Sequence, residues 1–116
     1  ASLVTVAAGD WSASGTLFGD RLGRIVAVNG LSLEFSPEGT LLVIANRDVP
    51  GVVGRIGTLL GSRGVNISDF ALARGKEGRA AAVVRIDRPD GTIGQDLVRA
   101  VSTLEGIDSA RLVTLG

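Results

Sequence analysis

The chain has 116 residues, enough for one domain or a small domain with an appendage, and 45% of them are hydrophobic, so a packed core is expected rather than disorder. Twelve basic and twelve acidic residues cancel, which removes the electrostatic footprint of a nucleic-acid binder and leaves no polybasic patch for a membrane surface. With no Cys, His, Tyr or Met, the chain cannot build Cys-based zinc sites, disulfides, haem ligation, or Cys-His and Ser-His-Asp catalysis, and 3% aromatics are a poor basis for an RNA-stacking sheet. The absence of cysteine fits a cytoplasmic setting. The apolar runs are too short to span a bilayer, and no secretory leader pattern opens the sequence.

Taken in chain order, residues 2–8 ("SLVTVAA") alternate and are β-branched, which predicts a strand. Residues 9–20 are framed by glycines and predict a second strand, with Trp11 as a packing residue. Residues 23–35 carry two apolar runs around Asn29-Gly30, the pair best suited to a type I′ hairpin turn. The first 35 residues therefore read as an antiparallel β meander. "SPEGT" (36–40) is turn-rich and is the natural boundary, dividing the chain into 1–39 and 40–116.

The rhythm then changes. Residues 41–46 ("LLVIAN") form a continuous apolar run, as in a buried strand. Pro50 suits the first turn of a helix. Val52, Val53, Ile56, Leu59 and Leu60 then mark one apolar helical face, and Gly64 is placed as a left-handed stop. Residues 65–74 and 79–87 predict strands joined by the loop "GKEG" (75–78). "RPDG" (88–91) turns the chain, and Thr92 with Gln95 matches a capping box. Leu97, Val98, Val101 and Leu104 repeat the apolar face, Gly106 ends that second helix, and residues 107–115 predict the last strand. The order β-α-β-β-α-β over the second part predicts an α+β, ferredoxin-like arrangement, with the helices on one sheet face and the other face open to a partner.

One segment carries the functional question. The helix after "NRDVP" contains Gly51, Gly54, Gly57 and Gly61, although each interior glycine costs about 1 kcal/mol relative to alanine. Gly54, Gly57 and Gly61 form a stripe away from the apolar face, which predicts close approach by the chain's own sheet, by a ligand or by a second subunit. Asp48, two residues before Pro50, reads either as a turn or cap acid or as a carboxylate for an ammonium. A free helix N-terminus suits a carboxylate, so one turn could hold a zwitterion without burying net charge. Asn66 reads as a turn residue after Gly64, with an amide able to donate and accept. Arg24 and Arg85 read as solvated strand arginines, as does Arg47, and Asp69 as an edge or interface acid.

"NRDVPGVVGRIGTLLGSRGVNI" (46–67) resembles the opening of an ACT domain, a small βαββαβ module that senses amino acids, and the resemblance runs on through residue 115 with "ALARGKEGRAAAVVRID" as its central hairpin. The preceding "SGTLFGDRLGRIVAVNG" resembles the end of the intervening, allosteric substrate-binding domain of long-form D-3-phosphoglycerate dehydrogenases. The resemblance implies a non-catalytic regulatory portion: residues 1–39 a partial intervening domain, residues 40–116 an ACT domain. It implies an amino-acid site formed by Asn46, Asp48, Val49, Pro50, Gly51 and Val52, completed by Asn66 reaching across a dimer interface. Asn46 stands where relatives often carry His or an aromatic residue. Arg24 and Arg85 match basic positions that hold an anionic effector in some relatives, whereas Ser36 replaces another of that set. The effector implied is L-serine, acting by feedback inhibition in serine biosynthesis on an NAD-dependent parent enzyme. The portion itself needs no cofactor and no metal, and is at least a homodimer. Gly51, Gly54 and Gly57 lack the close G-x-G pair of a dinucleotide fingerprint. Two other readings remain from the sequence: the regulatory chain of an iron-sulfur L-serine dehydratase, and an ACT-type oligomerisation module without ligand.

Overall fold

The structure is a computed structural model and describes residues 2–8, 11–17, 25–28, 31–35, 38–87 and 94–115. The first of its two antiparallel sheets is the expected meander. Strands β1 (Ser2–Ala8), β2 (Trp11–Leu17), β3 (Ile25–Val28) and β4 (Leu31–Glu34) pair in chain order. Val28 stands opposite Leu31, so two residues separate the paired strands, as an Asn-Gly hairpin requires. Asn29, Gly30, Arg24 and Ser36 themselves lie outside the described residues.

The second sheet belongs to the α+β unit. Strand β5 (Gly39–Arg47), helix α1 (Val52–Ser62), strands β6 (Asn66–Arg74) and β7 (Arg79–Asp87), helix α2 (Gln95–Ser102) and strand β8 (Ile107–Leu115) give the predicted β-α-β-β-α-β order. Across the sheet the order is β6-β7-β5-β8, all antiparallel. β5 is central because both of its faces are apolar: every residue from Leu41 to Asn46 is buried. Leu42 and Ile44 face the helices with Ala82, Val84 and Ile86, while Leu41, Val43 and Ala45 face the other way with Ala81 and Val83.

Helix α1 docks through Val52, Ile56 and Leu60, spaced four residues apart along one stripe. Full burial of side chains such as Ile56 and Leu60 contributes about 1.5–3 kcal/mol each. Val53, expected on that face, points outward and is 47% exposed. The stop at Gly64 is as expected. Its φ is 68°, its N–H donates to the Gly61 carbonyl at 3.1 Å, and the Val65 N–H donates to the Leu60 carbonyl at 2.9 Å. That is a Schellman end, with buried Val65 closing onto Leu60.

Four further expectations change. Pro50 lies in the turn before α1 rather than in its first turn, and Gly51 is the N-cap, not an interior glycine. Its φ of 90° explains the residue: a side chain there would be strained. Helix α2 starts at Gln95 with Gly94 as N-cap and no side-chain cap, so Gln95 opens the helix and does not close a capping box; Thr92 lies outside the described residues. The helix also stops at Ser102, so Leu104 packs from the following turn and Gly106 is not its stop.

The fourth change is the largest. The sheet face opposite the helices is covered by β4 and Phe35, not open. Leu33 and Phe35 are buried against Leu41, Val43, Ala81 and Val83, with Leu31 beside them. β4 has an apolar face of its own at alternate positions, and it lies over β6 and β7. Arg85 fastens this layer. Its guanidinium lies 5.0 Å from the Phe35 ring centroid, its Nε donates to the Glu38 carbonyl at 3.1 Å, and it pairs with Asp69 at 3.7 Å.

Candidate functional site

The pairing of β5 changes where the strand ends. Ala45 faces Ser109 on β8, but Asn46 faces Ile107, so a bulge sits between them. Asn46 keeps the parity of Leu42 and Ile44 and so turns toward the helix layer, where it is only 2% exposed. Its Nδ2 donates to the Arg47 carbonyl at 2.9 Å, while its Oδ1 is buried with no hydrogen-bond partner among the described residues. Leaving such an acceptor unanswered costs about 1–3 kcal/mol. The place of Asn46 in the motif is legible in the sequence; its unanswered oxygen is not.

The turn that follows is held on several sides. The Arg47 N–H donates to the Gly106 carbonyl at 2.8 Å, and the Asp48 N–H to the Gly78 carbonyl at 2.7 Å. Arg55 leans over Gly51, with Nη1 at 3.4 Å from the Pro50 carbonyl and 3.5 Å from that of Glu105, whose carboxylate it pairs with at 3.7 Å. Gly106 matters because of what it sits under. Its φ is 91°, and a Cβ there would lie 2.7 Å from Val52 Cγ2 and 3.3 Å from Val49 Cγ2. The side chains that frame the turn thus rest directly on a backbone with no side chain. The sequence identified the glycine but gave it the wrong job.

Asp48 does not cap α1. Among the described residues no side-chain hydrogen bond caps that helix, and its first turn holds no acidic residue. The Asp48 carboxylate pairs instead with Arg74, Oδ1 to Nε at 3.2 Å. The side chains are 35% and 71% exposed, and surface pairs of this kind contribute about 0–1 kcal/mol. Strand alternation places Arg74 on the face of Phe70 and Leu72, but the register that brings it to Asp48 needs the fold. Arg47, expected to be solvated, is exposed and meets Asp108 at 3.7 Å.

Among the described residues, Gly54, Gly57 and Gly61 have nothing within 4 Å of where a Cβ would stand. The chain's own sheet therefore does not demand them. Gly51 and Gly54 instead line a groove of about 590 Å³ with Arg55, Thr58, Leu59 and Leu104. Val49, Val53 and Leu72 are large hydrophobic residues left 43%, 47% and 38% exposed.

Asn46, Asp48, Val49, Pro50, Gly51 and Val52 are gathered at one end of the sheet by continuity of chain. Asn66 is not with them. It pairs with Asp87, whereas Arg74, at the other end of β6, pairs with Ala80 next to Gly78 and Asp48. Eight strand steps at about 3.3 Å put Asn66 about 25 Å from the turn within one chain. Arg85 is a third location, on the covered face with Phe35, and Arg24 lies outside the described residues.

A four-stranded antiparallel sheet in the order β6-β7-β5-β8 with two helices on one face defines a ferredoxin-like module, and its β5–α1 turn presents a buried unanswered acceptor, a carboxylate and an uncapped helix start together. Residues 40–106 match the ACT domain, and the chain belongs to the ACT domain family. ACT domains generally bind amino-acid effectors and oligomerise. The chain is 42% identical over 92 residues to D-3-phosphoglycerate dehydrogenase of Mycobacterium leprae, covering 77% of this chain and 17% of that protein. It is 37% identical over 100 residues to the same enzyme of Mycobacterium tuberculosis (85% and 18%) and 33% identical over 93 residues to that of Bacillus subtilis (79% and 17%). The chain thus spans less than a fifth of the length of these relatives.

Proposed function

We propose that the chain is an amino-acid-sensing regulatory portion of a cytoplasmic D-3-phosphoglycerate dehydrogenase, that its effector is L-serine, and that residues 1–39 are the end of an intervening domain. The relatives' names support the parent enzyme. The observation that carries the sensing itself is Asn46, an unanswered amide oxygen buried at the foot of an uncapped helix and two residues from Asp48. Asp48 takes the effector's ammonium, the α1 N-terminus takes its carboxylate, and Asn46 accepts from a hydroxyl or ammonium donor. The portion contributes no catalytic residue and no cofactor; the parent enzyme's NAD binds outside it.

The site is completed by a second copy. β6 is an edge strand, and antiparallel pairing of two such edges about Phe70 sets Asn66 of one copy opposite Arg74 of the other. The exposed Leu72 lies on β6 itself and supplies apolar area at that edge. Inhibition then follows from serine binding one arrangement of the subunits better than another, with the change leaving through the 36–40 joint. Isothermal titration with serine, glycine and alanine tests this: serine should give heat and a thermal shift, and silence at millimolar serine would sink the reading. Asp48→Ala should abolish the response and leave the dimer intact. If the variant also loses the dimer, Asp48 is a structural residue. Association with no response to any amino acid in the parent chain would instead favour an oligomerisation module without ligand.

A further inference from the structure

The sensing reading leaves Arg74 without a task, although it is the partner of the carboxylate on which that reading turns. We infer that Arg74 is a specificity residue of the same site, holding the effector's carboxylate once the ammonium has taken Asp48. The inference rests on the amino-acid reading of the turn.

Of the arginines around the turn, Arg47 meets Asp108 and Arg55 meets Glu105, each a carboxylate of its own. Arg74 pairs with Asp48, 3.2 Å away, and among the described residues it has no second carboxylate. An ammonium arriving at Asp48 therefore leaves a guanidinium beside the ligand with its charge uncompensated. An α-amino acid carries the missing charge on the same carbon as its ammonium. The swap is balanced: an internal pair of net charge zero receives a ligand of net charge zero, and two pairs replace one. Asp48 alone would present a net negative site and favour plain amines; Asp48 with Arg74 favours zwitterions with both groups free.

The geometry permits the exchange. Arg74 is the last residue of an edge strand, its side chain is 71% exposed, and its long stem can swing while β6 stays paired with β7. Its position is fixed relative to the turn, because the 75–78 loop that follows it is bonded to the site through Gly78 and Asp48. Glu77 and Gly78 both adopt positive φ there, 62° and 72°, which bends the loop back toward Asp48. The planar guanidinium can meet a carboxylate with two parallel N–H bonds, which a lysine or a glutamine cannot. The α1 N-terminus and Arg74 then share the two carboxylate oxygens.

The test is a titration cycle on the whole chain, with L-serine and L-serinamide as probes against wild type, Arg74→Gln and Arg74→Lys. Wild type should prefer serine to serinamide. Arg74→Gln should weaken serine by about ten- to hundredfold, since a hydrogen bond to a charged group is lost. The same variant should bind serinamide at least as tightly as wild type, since Asp48 loses its internal partner, and Arg74→Lys should fall in between for serine. Equal serine affinity in wild type and Arg74→Gln overturns the assignment while leaving the site reading intact. Equal weakening of both probes also overturns it, since that is the mark of a structural role. A wild type that binds neither probe overturns the assignment together with the site reading. Arg74 is surface-exposed, and an unchanged circular dichroism spectrum and melting point will confirm that each variant is folded.

Discussion

Replacing Gly106 with alanine should destabilise the fold by about 2–5 kcal/mol, and the estimate has two parts. A φ of 91° is a left-handed backbone, which costs an L-residue about 1–2 kcal/mol. The new Cβ would also stand 2.7 Å from Val52 Cγ2 and 3.3 Å from Val49 Cγ2. Val52 is buried against the core under α1 and cannot rotate away freely, so overpacking adds about 1–3 kcal/mol. For a domain of this size each kcal/mol lowers the melting point by about 4 °C, which predicts a fall of about 8–20 °C. Thermal melts followed by circular dichroism measure it. The two parts separate in a cycle with Val52→Ala, which deletes the methyl that is struck. The double variant should recover about 1–3 kcal/mol relative to the sum of the singles. A Gly106→Ala variant that melts within about 2 °C of the parent, or singles that simply add, would refute the close approach.

Three other outcomes follow from the same packing. Gly57→Ala should raise the melting point by a few degrees, a gain of about 1 kcal/mol, because nothing among the described residues lies within 4 Å of the new methyl; a lower melting point would mean that something beyond those residues packs there. Arg85→Met should cost about 1–2 kcal/mol and speed amide exchange across residues 31–35, since it removes the contact with Phe35 and the bond to Glu38; unchanged exchange would mean that the apolar contacts alone hold β4 down. Asn46→Leu should leave stability unchanged or raise it by about 1 kcal/mol, by deleting an unanswered oxygen, and should abolish the calorimetric response to serine; a marked loss of stability with binding retained would place the residue in the fold rather than in the site.

What the sequence made legible was whatever depends on local pattern. The Val52, Ile56, Leu60 stripe, the Gly64 stop, the Asn-Gly hairpin spacing and the β-α-β-β-α-β order all follow from periods of 3.6 and 2 and from turn chemistry. The failures share a cause, which is that each depends on contacts distant in sequence. Gly106 looked like a helix stop because helices commonly end in glycine; its actual constraint comes from Val52, far away in the chain. The covered sheet face depends on β4 folding back, which no periodicity in residues 31–35 announces. Arg74 meets Asp48 only through the register of β6 on β7 and the bond from Asp48 to Gly78. The helix glycines mislead in the opposite way: a cost that calls for a reason was legible, but among the described residues no contact supplies one.

That missing contact bears on how a sensor of this kind would work. Within one copy the turn has Asn46, Asp48 and the start of α1, while Asn66 is about 25 Å away at the far end of β6. A lone copy therefore holds an incomplete form of the proposed site, with an amide oxygen unanswered and Val49, Val53 and Leu72 facing solvent. If the second copy supplies Asn66, the effector and the partner bind each other's preferred form, and linkage makes the effect reciprocal: serine must tighten association by the factor by which association tightens serine. Coupling of about 1–3 kcal/mol corresponds to about 5- to 150-fold in the dimer dissociation constant. Sedimentation equilibrium across a concentration series, with and without saturating serine, reads that factor directly. Asn66→Ala should leave serine-free association largely in place while removing the tightening. A dissociation constant indifferent to serine in the parent chain would mean that the site is complete within one copy, and Asn66 would then have no part in it.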